Sequence, residues 1–333
     1  MRSLVFDGPH RFHIEDKPQT DPGPGQVQMR VAYVGICGSD LHGYTGESGR
    51  RVPGMVMGHE ASGWIEDVGV GVEDLEIGQP VTFIPTIPCG GECGHEIDNQ
   101  CYRIELIGVT PRHRGAFADT VLIPADCVVP LGSLDLLRGA VAEPLAVALQ
   151  ATRRADVRDG DDVLVIGGGM IGHCIGQTAR YLGAAKVTIS EGMPERRALA
   201  EAAGFHTITP EVLPEAPPFD RVLDAVGIDA TAAASIRAVA KGGVVCFVGL
   251  GAPEVKIPLF DIVTAERSIT GSFCYTHDVF KETVALLQSG QLDADLYIGA
   301  TTAFEGVAEA FEDLATGRRT DIKIMMATGA SAP

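Results

Sequence analysis

The segment GICGSDLH, residues 35–42, places four side chains with chemical potential within eight residues. Cys37 offers a thiolate, Ser39 a hydroxyl, Asp40 a carboxylate and His42 an imidazole. Together such groups can bind a metal ion and move protons. The same string, bounded by glycines, is also compatible with an ordinary turn, so the choice depends on the rest of the chain.

Two later segments offer further metal ligands. GHEASG contains His59 and Glu60, and AEPLA contains Glu143. A thiolate, an imidazole and a carboxylate form a good zinc set, and a catalytic zinc keeps its fourth position open. Taken singly, each residue also has an ordinary explanation as a core cysteine, a hydrogen-bonded histidine or a solvated carboxylate. Spacing alone leaves both interpretations open.

The loop GGGMIG, residues 167–172, fits the pattern G-x-G-x-x-G. It follows the apolar run VLVI and begins a predicted helix, which is the context that a dinucleotide-binding loop requires. Its glycines permit a tight turn and a close approach of backbone to pyrophosphate, and the helix N-terminus favours the anion. We therefore assign Gly167, Gly169, Ile171 and Gly172 to a cofactor site.

Glu191 ends the next predicted strand, where an acidic residue hydrogen-bonds the adenosine ribose. A carboxylate at this position repels the 2′-phosphate of NADP, so the sequence favours NAD. Arg196 and Arg197 follow in the next predicted helix. We expect Arg196 to flank the adenine, although either arginine is long enough to reach a phosphate.

Composition and charge restrict the class of protein. A chain of 333 residues favours two domains. The formal net charge of −18 argues against binding to nucleic acid or to an anionic membrane. We find no signal peptide and no apolar run long enough to span a membrane, which predicts a cytoplasmic protein. Its eight cysteines then serve as core residues or metal ligands rather than disulfides.

The two parts of the chain have different periodicities. Short alternating runs predict strands at 26–35, 61–69, 80–86 and 117–124, typical of an antiparallel sheet or barrel. Strands then alternate with helices, which predicts an α/β fold with a parallel, doubly wound sheet. The predicted strands are 163–167, 186–191, 221–227, 244–250 and 268–273, and the predicted helices are 143–155, 169–183, 194–204 and 230–243.

The ordered set GICGSDLH, GHE, AEPLA and the glycine loop resembles the zinc-dependent medium-chain alcohol and polyol dehydrogenases over essentially the whole chain. AEPLAVAL, ISEGMPERR and GSFCYT are most similar to the sorbitol and butanediol dehydrogenase branch. The resemblance implies a GroES-like catalytic domain (1–145), a Rossmann NAD-binding domain (146–285) and a C-terminal segment (286–333) that completes the first. It also implies a homodimer or homotetramer that pairs near residues 257–273.

The same resemblance implies roles for the residues in these motifs. Cys37 and His59 would bind zinc, with either Glu60 or Glu143 completing the site. Asp40 would accept a hydrogen bond from the His59 ring and fix its tautomer.

Ser39 would contact the substrate hydroxyl, and His42 would pass the proton to solvent through the cofactor ribose. The implied activity is NAD-dependent oxidation of a secondary hydroxyl of a small-molecule polyol, sugar or vicinal diol, or the reverse ketone reduction. The alternatives are L-threonine or a simple secondary alcohol as substrate. Two alternatives come from other classes of protein. They are a zinc-free reductase of the same superfamily and a catalytically silent NAD-binding protein.

Two segments depart from the family pattern. The family commonly binds a second, structural zinc through four cysteines, whereas residues 88–101 offer Cys89, Cys93 and Cys101. His95 is our choice for a fourth ligand. The alternatives are Glu92, Glu96 and Asp98.

The second departure is TPRHRGAF, residues 110–117, which is more basic than the loop of many relatives. Its cations Arg112, His113 and Arg114 are expected either to face a hydroxyl-rich or acidic substrate or to lie in a solvated loop.

Overall fold

The computed structural model describes residues 1–333, and the chain forms two compact units. The first unit combines Met1–Glu143 with Thr276–Pro333, and the second is Pro144–Tyr275. We expected the second boundary after residue 285, but the helix His277–Gln288 belongs to the first unit. Its ends are bonded there: His277 Nε2 lies 3.0 Å from the carbonyl oxygen of Thr86, and Gln288 donates to that of Leu131.

The secondary structure consists of short strands followed by an alternation of strands and helices. The strands are β1 (Arg2–Gly8), β2 (Arg11–Asp16), β3 (Gln26–Gly35), β4 (Ala61–Val68), β5 (Pro80–Phe83), β6 (Thr86–Ile87), β7 (Glu105–Leu106), β8 (Thr120–Pro124), β9 (Val128–Pro130), β10 (Asp162–Ile166), β11 (Lys186–Ser190), β12 (His206–Ile208), β13 (Phe219–Asp224), β14 (Val239–Phe247), β15 (Ser268–Gly271), β16 (Ile298–Ala303) and β17 (Lys323–Ala327). The helices are α1 (Gly38–Thr45), α2 (Leu136–Gly139), α3 (Ala142–Arg154), α4 (Met170–Tyr181), α5 (Pro194–Ala202), α6 (Asp229–Ala238), α7 (Leu259–Val263), α8 (His277–Gln288) and α9 (Val307–Ala315). No helix among them has both the length and the apolar character to cross a membrane.

The first unit is built around the long strand β3. Strand β3 pairs antiparallel with β4, β8 and β17, within a sheet whose order is β16-β17-β3-β4-β5-β9. Its apolar side chains Val27, Met29, Val31 and Val34 are completely buried. Strand β17, from the C-terminal segment, therefore lies directly beside the strand that leads into Cys37.

The second unit is a parallel sheet of six strands in the order β12-β11-β10-β13-β14-β15. Numbered along the chain, this is the order 3-2-1-4-5-6 of doubly wound dinucleotide-binding domains. The interior is apolar, with Leu164, Val222, Val245 and Ile236 packed in one cluster. The strand order reverses between β10 and β13, so ligands are expected at the carboxyl ends of these two strands. The predicted α/β fold class is confirmed.

Some predicted boundaries differ from the structure. The helix expected over 230–243 ends at Ala238, and β14 begins at Val239. The Lys-Gly-Gly run lies inside this strand, where the backbone N–H of Gly242 donates to the carbonyl oxygen of Ala265. The β1–β2 hairpin, α1 and β16 were not predicted, because their sequences have weak periodicity and are held by tertiary contacts.

Candidate metal and cofactor sites

Helix α1 carries most of the candidate catalytic side chains. Cys37 is its N-cap residue, and Ser39, Asp40 and His42 follow within the helix. Asp40 is buried whereas Ser39 and His42 are exposed. The hydroxyl of Ser39 donates to the sulfur of Cys37 at 3.4 Å. One short helix thus directs a carboxylate to the interior and a hydroxyl and an imidazole to solvent.

Three of the predicted zinc ligands lie together. The ligand atoms of Cys37, His59 and Glu60 are all within 4.8 Å of one another. His59 and Glu60 immediately precede β4 and are buried. Cys37 is half-buried. This set of a thiolate, an imidazole and a carboxylate has the chemistry of a zinc site. Glu143 is buried in the first turn of α3, and its share in the site stays a prediction.

Asp40 lies behind the His59 ring. The distance from His59 Nδ1 to Asp40 Oδ1 is 3.5 Å, which leaves Nε2 as the ring nitrogen for a metal. Burial alone would raise the pKa of Asp40, but the positive charges of His59 and Arg51 outweigh it and hold this pKa below its usual value. Burial likewise opposes a charge on His59, yet Asp40 and Cys37 raise its pKa well above normal. The group therefore attracts a positive charge, which a metal ion supplies.

The donor set shows that the residues present fit a metal. The ligand atoms of Cys37, His59 and Glu60 converge within 4.8 Å, and a thiolate, an imidazole nitrogen and a carboxylate oxygen are ligands that zinc binds in proteins. His59 Nδ1 and Asp40 Oδ2, which are buried without a hydrogen bond of good geometry, belong to the pair behind the ring and are not metal ligands.

Lys323 is a member of the site that sequence reasoning missed. Its ammonium lies 2.5 Å from Glu60 Oε2 and donates to the carbonyl oxygen of Ile36 at 3.1 Å. Both charged side chains are buried. The available signal was a single lysine in the apolar run IKIMMA of β17, because a charge in a buried strand needs a partner.

The second cysteine group is also assembled. The sulfur atoms of Cys89, Cys93 and Cys101 lie within 4.8 Å of one another, and those of Cys93 and Cys101 are 3.6 Å apart. A hydrogen bond from the His95 backbone, opposed by burial, lowers the pKa of Cys93 to about 6. The His95 ring instead packs edge-on against Tyr102, with centroids 4.8 Å apart.

The other candidate fourth ligands have different contacts. Glu92 pairs with Arg103 at 3.4 Å, and Asp98 accepts a hydrogen bond from the His277 backbone at 3.0 Å. Glu96 is exposed. The structure brings together the three predicted thiols and does not bring the His95 ring to them.

The glycine loop has the geometry of a dinucleotide site. A Cβ at Gly172 would lie 1.8 Å from the carbonyl oxygen of Gly167, so this crossing of loop and helix requires glycine. Gly169 is the N-cap of α4, and a Cβ there would meet no atom within 4 Å. This space at a helix N-terminus fits a pyrophosphate. Ile171 lies in the first turn of α4.

Glu191 joins the loop to the end of β11. Its carboxylate accepts hydrogen bonds from the backbone N–H groups of Gly168 and Met193, each at 2.8 Å. Arg197 donates to the carbonyl oxygens of Glu191 and Gly192. The Nε of Arg196 is buried without a hydrogen-bond partner. Arg196 is thus the arginine with unused donor capacity beside the site.

The basic loop at 110–117 does not supply free cations. Arg112 and His113 both contact the carboxylate of Glu105, and Arg114 lies 3.7 Å from Glu15. These neighbours, His113 first and then Arg112, lower the pKa of Glu105. Local pairing neutralises the loop, so the expectation that its charges face a substrate gives way to the solvated-loop interpretation.

Comparisons with known proteins cover nearly the whole chain. The family descriptions "Alcohol dehydrogenase GroES-like domain" and "Zinc-binding dehydrogenase" match residues 23–133 and 170–289. Probable D-xylulose reductase A of Emericella nidulans is 32% identical over 338 residues, covering 95% of this chain and 94% of the relative. The structure of an alcohol dehydrogenase from Thermus sp. ATN1 is similar with a TM-score of 0.89 at 30% identity, covering 98% of this chain and 99% of that one. The 2R,3R-butanediol dehydrogenase of Bacillus subtilis has the same TM-score and coverage at 26% identity.

Proposed function

The chain belongs to the zinc-dependent medium-chain alcohol and polyol dehydrogenases, and from this premise we propose that it transfers hydride between NAD and a secondary hydroxyl of a polyol, sugar or vicinal diol. The reverse reaction reduces the ketone. The observation that carries the proposal is the Cys37–His59–Glu60 group, in which His59 and Glu60 are buried and Cys37 is half-buried, beside the exposed hydroxyl of Ser39.

Each side chain has a defined part in this reaction. Cys37 and His59 hold the metal, and Glu60 or Glu143 completes the set. When bound, zinc lowers the pKa of the substrate hydroxyl and NAD accepts the hydride. Ser39 Oγ, 3.4 Å from the Cys37 sulfur, would take the hydroxyl proton as it passes its own proton on, and the exposed imidazole of His42 would release a proton to solvent.

Glu191 supports NAD rather than NADP as the cofactor. Its carboxylate is held at the end of β11 by two backbone N–H groups beside the glycine loop. A carboxylate fixed there accepts hydrogen bonds from the ribose hydroxyls of NAD and repels the 2′-phosphate of NADP. Arg196, whose Nε has no hydrogen-bond partner, is the side chain that would flank the adenine.

The relatives support a substrate with a hydroxyl or keto group on a secondary carbon. Those compared above are named for D-xylulose, 2R,3R-butanediol and alcohols. L-threonine and simple secondary alcohols remain the alternatives. A silent NAD-binding protein would have no need of Ser39 and His42 beside a set of metal ligands. Assays of D-xylulose reduction and of polyol, diol, L-threonine and secondary-alcohol oxidation separate these candidates.

The edge of the second unit supports a homodimer or a homotetramer. Strand β15 is the last strand of its sheet and has one neighbour. The adjoining helix α7 exposes large apolar side chains. They are Leu259 at 67%, Phe260 at 77% and Val263 at 66% exposure. An apolar edge of this kind is expected to pair with a second copy of the chain, which light scattering measures.

The cysteines are relevant to a second zinc site and to the cellular compartment of the protein. All eight are free, and the proposal includes a reducing, cytoplasmic environment in which they stay so. Cys89, Cys93 and Cys101 supply three corners of a tetrahedral second zinc site, and the fourth corner requires a turn of the His95 ring or a solvent ligand. Two zinc ions per chain would support this site, and one, lost with Cys37, would contradict it.

A further inference from the structure

Arg51 is a buried cation behind helix α1 that the reaction described above does not use. Its side chain is 2% exposed, and its guanidinium donates to Asp40 Oδ1 at 3.2 Å and, through Nε, to the sulfur of Met57 at 3.3 Å. A buried charge is costly unless it is paired in good geometry. Asp40, which is completely buried, provides that pairing.

Two groups share one oxygen of Asp40. Oδ1 lies 3.2 Å from the Arg51 guanidinium and 3.5 Å from Nδ1 of the His59 ring. Arg51 therefore restrains the carboxylate that faces the candidate metal ligand. Without this restraint the carboxylate could rotate away from the His59 ring. The ring would then lose its hydrogen-bond acceptor, and Nε2 would no longer be held in one orientation.

Helix α1 is adapted to the path of the Arg51 side chain. A Cβ at Gly43 would lie 2.3 Å from Arg51 Cγ. Glycine inside a helix is destabilising relative to alanine. The close approach of the arginine stem explains why this position lacks a side chain, and it links the two residues independently of the ion pair.

We propose that Arg51 is a positioning residue of the metal site, which holds Asp40 so that the His59 ring presents Nε2 to the ion. This inference rests on the proposed function, because it takes Cys37 and His59 as zinc ligands. Groups that orient a metal-bound histidine typically contribute about 10- to 100-fold to metal affinity. Arg51 acts through Asp40 and contacts neither the ion nor the substrate.

The test measures metal affinity rather than turnover. Zinc binding is followed by competition with a chromophoric chelator, and Co²⁺ binding by its absorption spectrum. Arg51→Met, which keeps the stem and removes the donors, should weaken affinity about 10- to 100-fold and change the Co²⁺ spectrum. Arg51→Lys should recover part of the loss. Arg30→Met, which breaks the half-buried pair of Arg30 with Glu66 in the same unit, is the matched control and should leave the affinity unchanged.

Two combinations separate positioning from a general loss of stability. With Asp40→Asn already present, Arg51→Met should have little further effect on affinity, because the group it holds has lost its charge. Gly43→Ala should weaken zinc binding by displacing the Arg51 stem while the guanidinium is retained, and it should add little to the effect of Arg51→Ala.

The outcomes distinguish this inference from the proposed function. If the wild type binds no zinc that is lost in Cys37→Ser, the proposed function fails. If the wild type binds zinc and Arg51→Met binds it with the same affinity and Co²⁺ spectrum, even at a lower melting temperature, Arg51 has only a structural role and the inference is overturned.

Discussion

The carboxylate of Glu60 lies 2.5 Å from the ammonium of Lys323, and both side chains are buried. Lys323 begins β17, and Glu60 immediately precedes β4. A second bond joins Lys323 to the carbonyl oxygen of Ile36, the residue before Cys37. The C-terminal segment thereby supplies the counter-charge for one candidate zinc ligand and fixes the backbone beside another.

Lys323→Met should destabilise the metal-free protein strongly, because it leaves the buried carboxylate of Glu60 without its cation. Breaking a buried ion pair from one side costs about 3–5 kcal/mol in free energy of unfolding. Bound zinc should offset part of this loss by supplying positive charge. Urea unfolding with and without zinc measures both effects.

Two variants control this prediction. Adding Glu60→Gln should restore stability, since no buried charge then remains unpaired. Lys17→Met breaks the exposed pair with Glu15 and should have almost no effect. An unchanged free energy of unfolding in Lys323→Met would show that the Glu60 pair contributes nothing.

Cys37→Ser should remove the catalytic metal and abolish turnover while NAD still binds. Cys37 belongs to the first unit and the glycine loop to the second, so one site can be lost without the other. Zinc analysis, steady-state kinetics and fluorescence titration with NADH measure the three properties. Cys127→Ala, at a buried thiol outside both cysteine-containing metal groups, should keep turnover. Near wild-type oxidation by Cys37→Ser would exclude the catalytic zinc.

Glu191→Ala should weaken NAD binding and reduce discrimination against NADP. The substitution removes the ribose acceptor, the repulsive charge and two backbone hydrogen bonds, one from Gly168 in the glycine loop and one from Met193. Glu191→Gln separates these effects, because its amide oxygen keeps an acceptor without the charge. We expect kcat/KM with NADP to rise relative to NAD in both variants, with the larger loss of NAD binding in the alanine variant. A wild type that prefers NADP would contradict this assignment of Glu191.

His173 should make the second unit less stable in acid. Burial lowers the pKa of His173 to about 4, whereas an unfolded histidine has a pKa of about 6.5. The unfolded chain therefore gains a proton first as the pH falls through this range, and the free energy of unfolding decreases. The stabilisation, present above the unfolded pKa, amounts to about 3 kcal/mol and is lost as the pH approaches the folded value.

Urea unfolding across that pH range checks the prediction. His173→Leu should flatten the dependence relative to the wild type, whereas His206→Gln, at an exposed histidine of the same unit, should not. An identical pH slope in wild type and His173→Leu would contradict the assignment.

Short-range patterns predicted the parts of the site that depend on neighbouring residues. Cys37, His59 and Glu60 lie in compact motifs, and the structure places their ligand atoms together. The predicted strand over 26–35 has the bounds of β3, and its apolar residues Val27, Met29 and Val31 are buried, although burial along the strand does not alternate. Glu191 was identified from its position at a strand end, and it contacts the glycine loop.

Contacts between residues that are far apart in the chain could not be predicted from the sequence. Lys323 pairs with Glu60 across 263 positions, and the pairings of β17 with β3 and of β3 with β4 bring them together. Arg51 is close to Asp40 in the chain, yet nothing in its local sequence indicates a buried cation. The ring of His95 was expected near the thiols because of its spacing, whereas its contact with Tyr102 depends on the fold of the lobe.

The central claim is that a zinc ion at Cys37 and His59 is required for NAD-dependent oxidation of a secondary hydroxyl. The most direct measurement follows NADH formation with 2R,3R-butanediol and a panel of polyols while chelator-treated protein is titrated with zinc. We predict no turnover without metal, recovery that saturates with the occupancy of one site, and no recovery in Cys37→Ser. Undiminished turnover by the metal-free protein would contradict the claim.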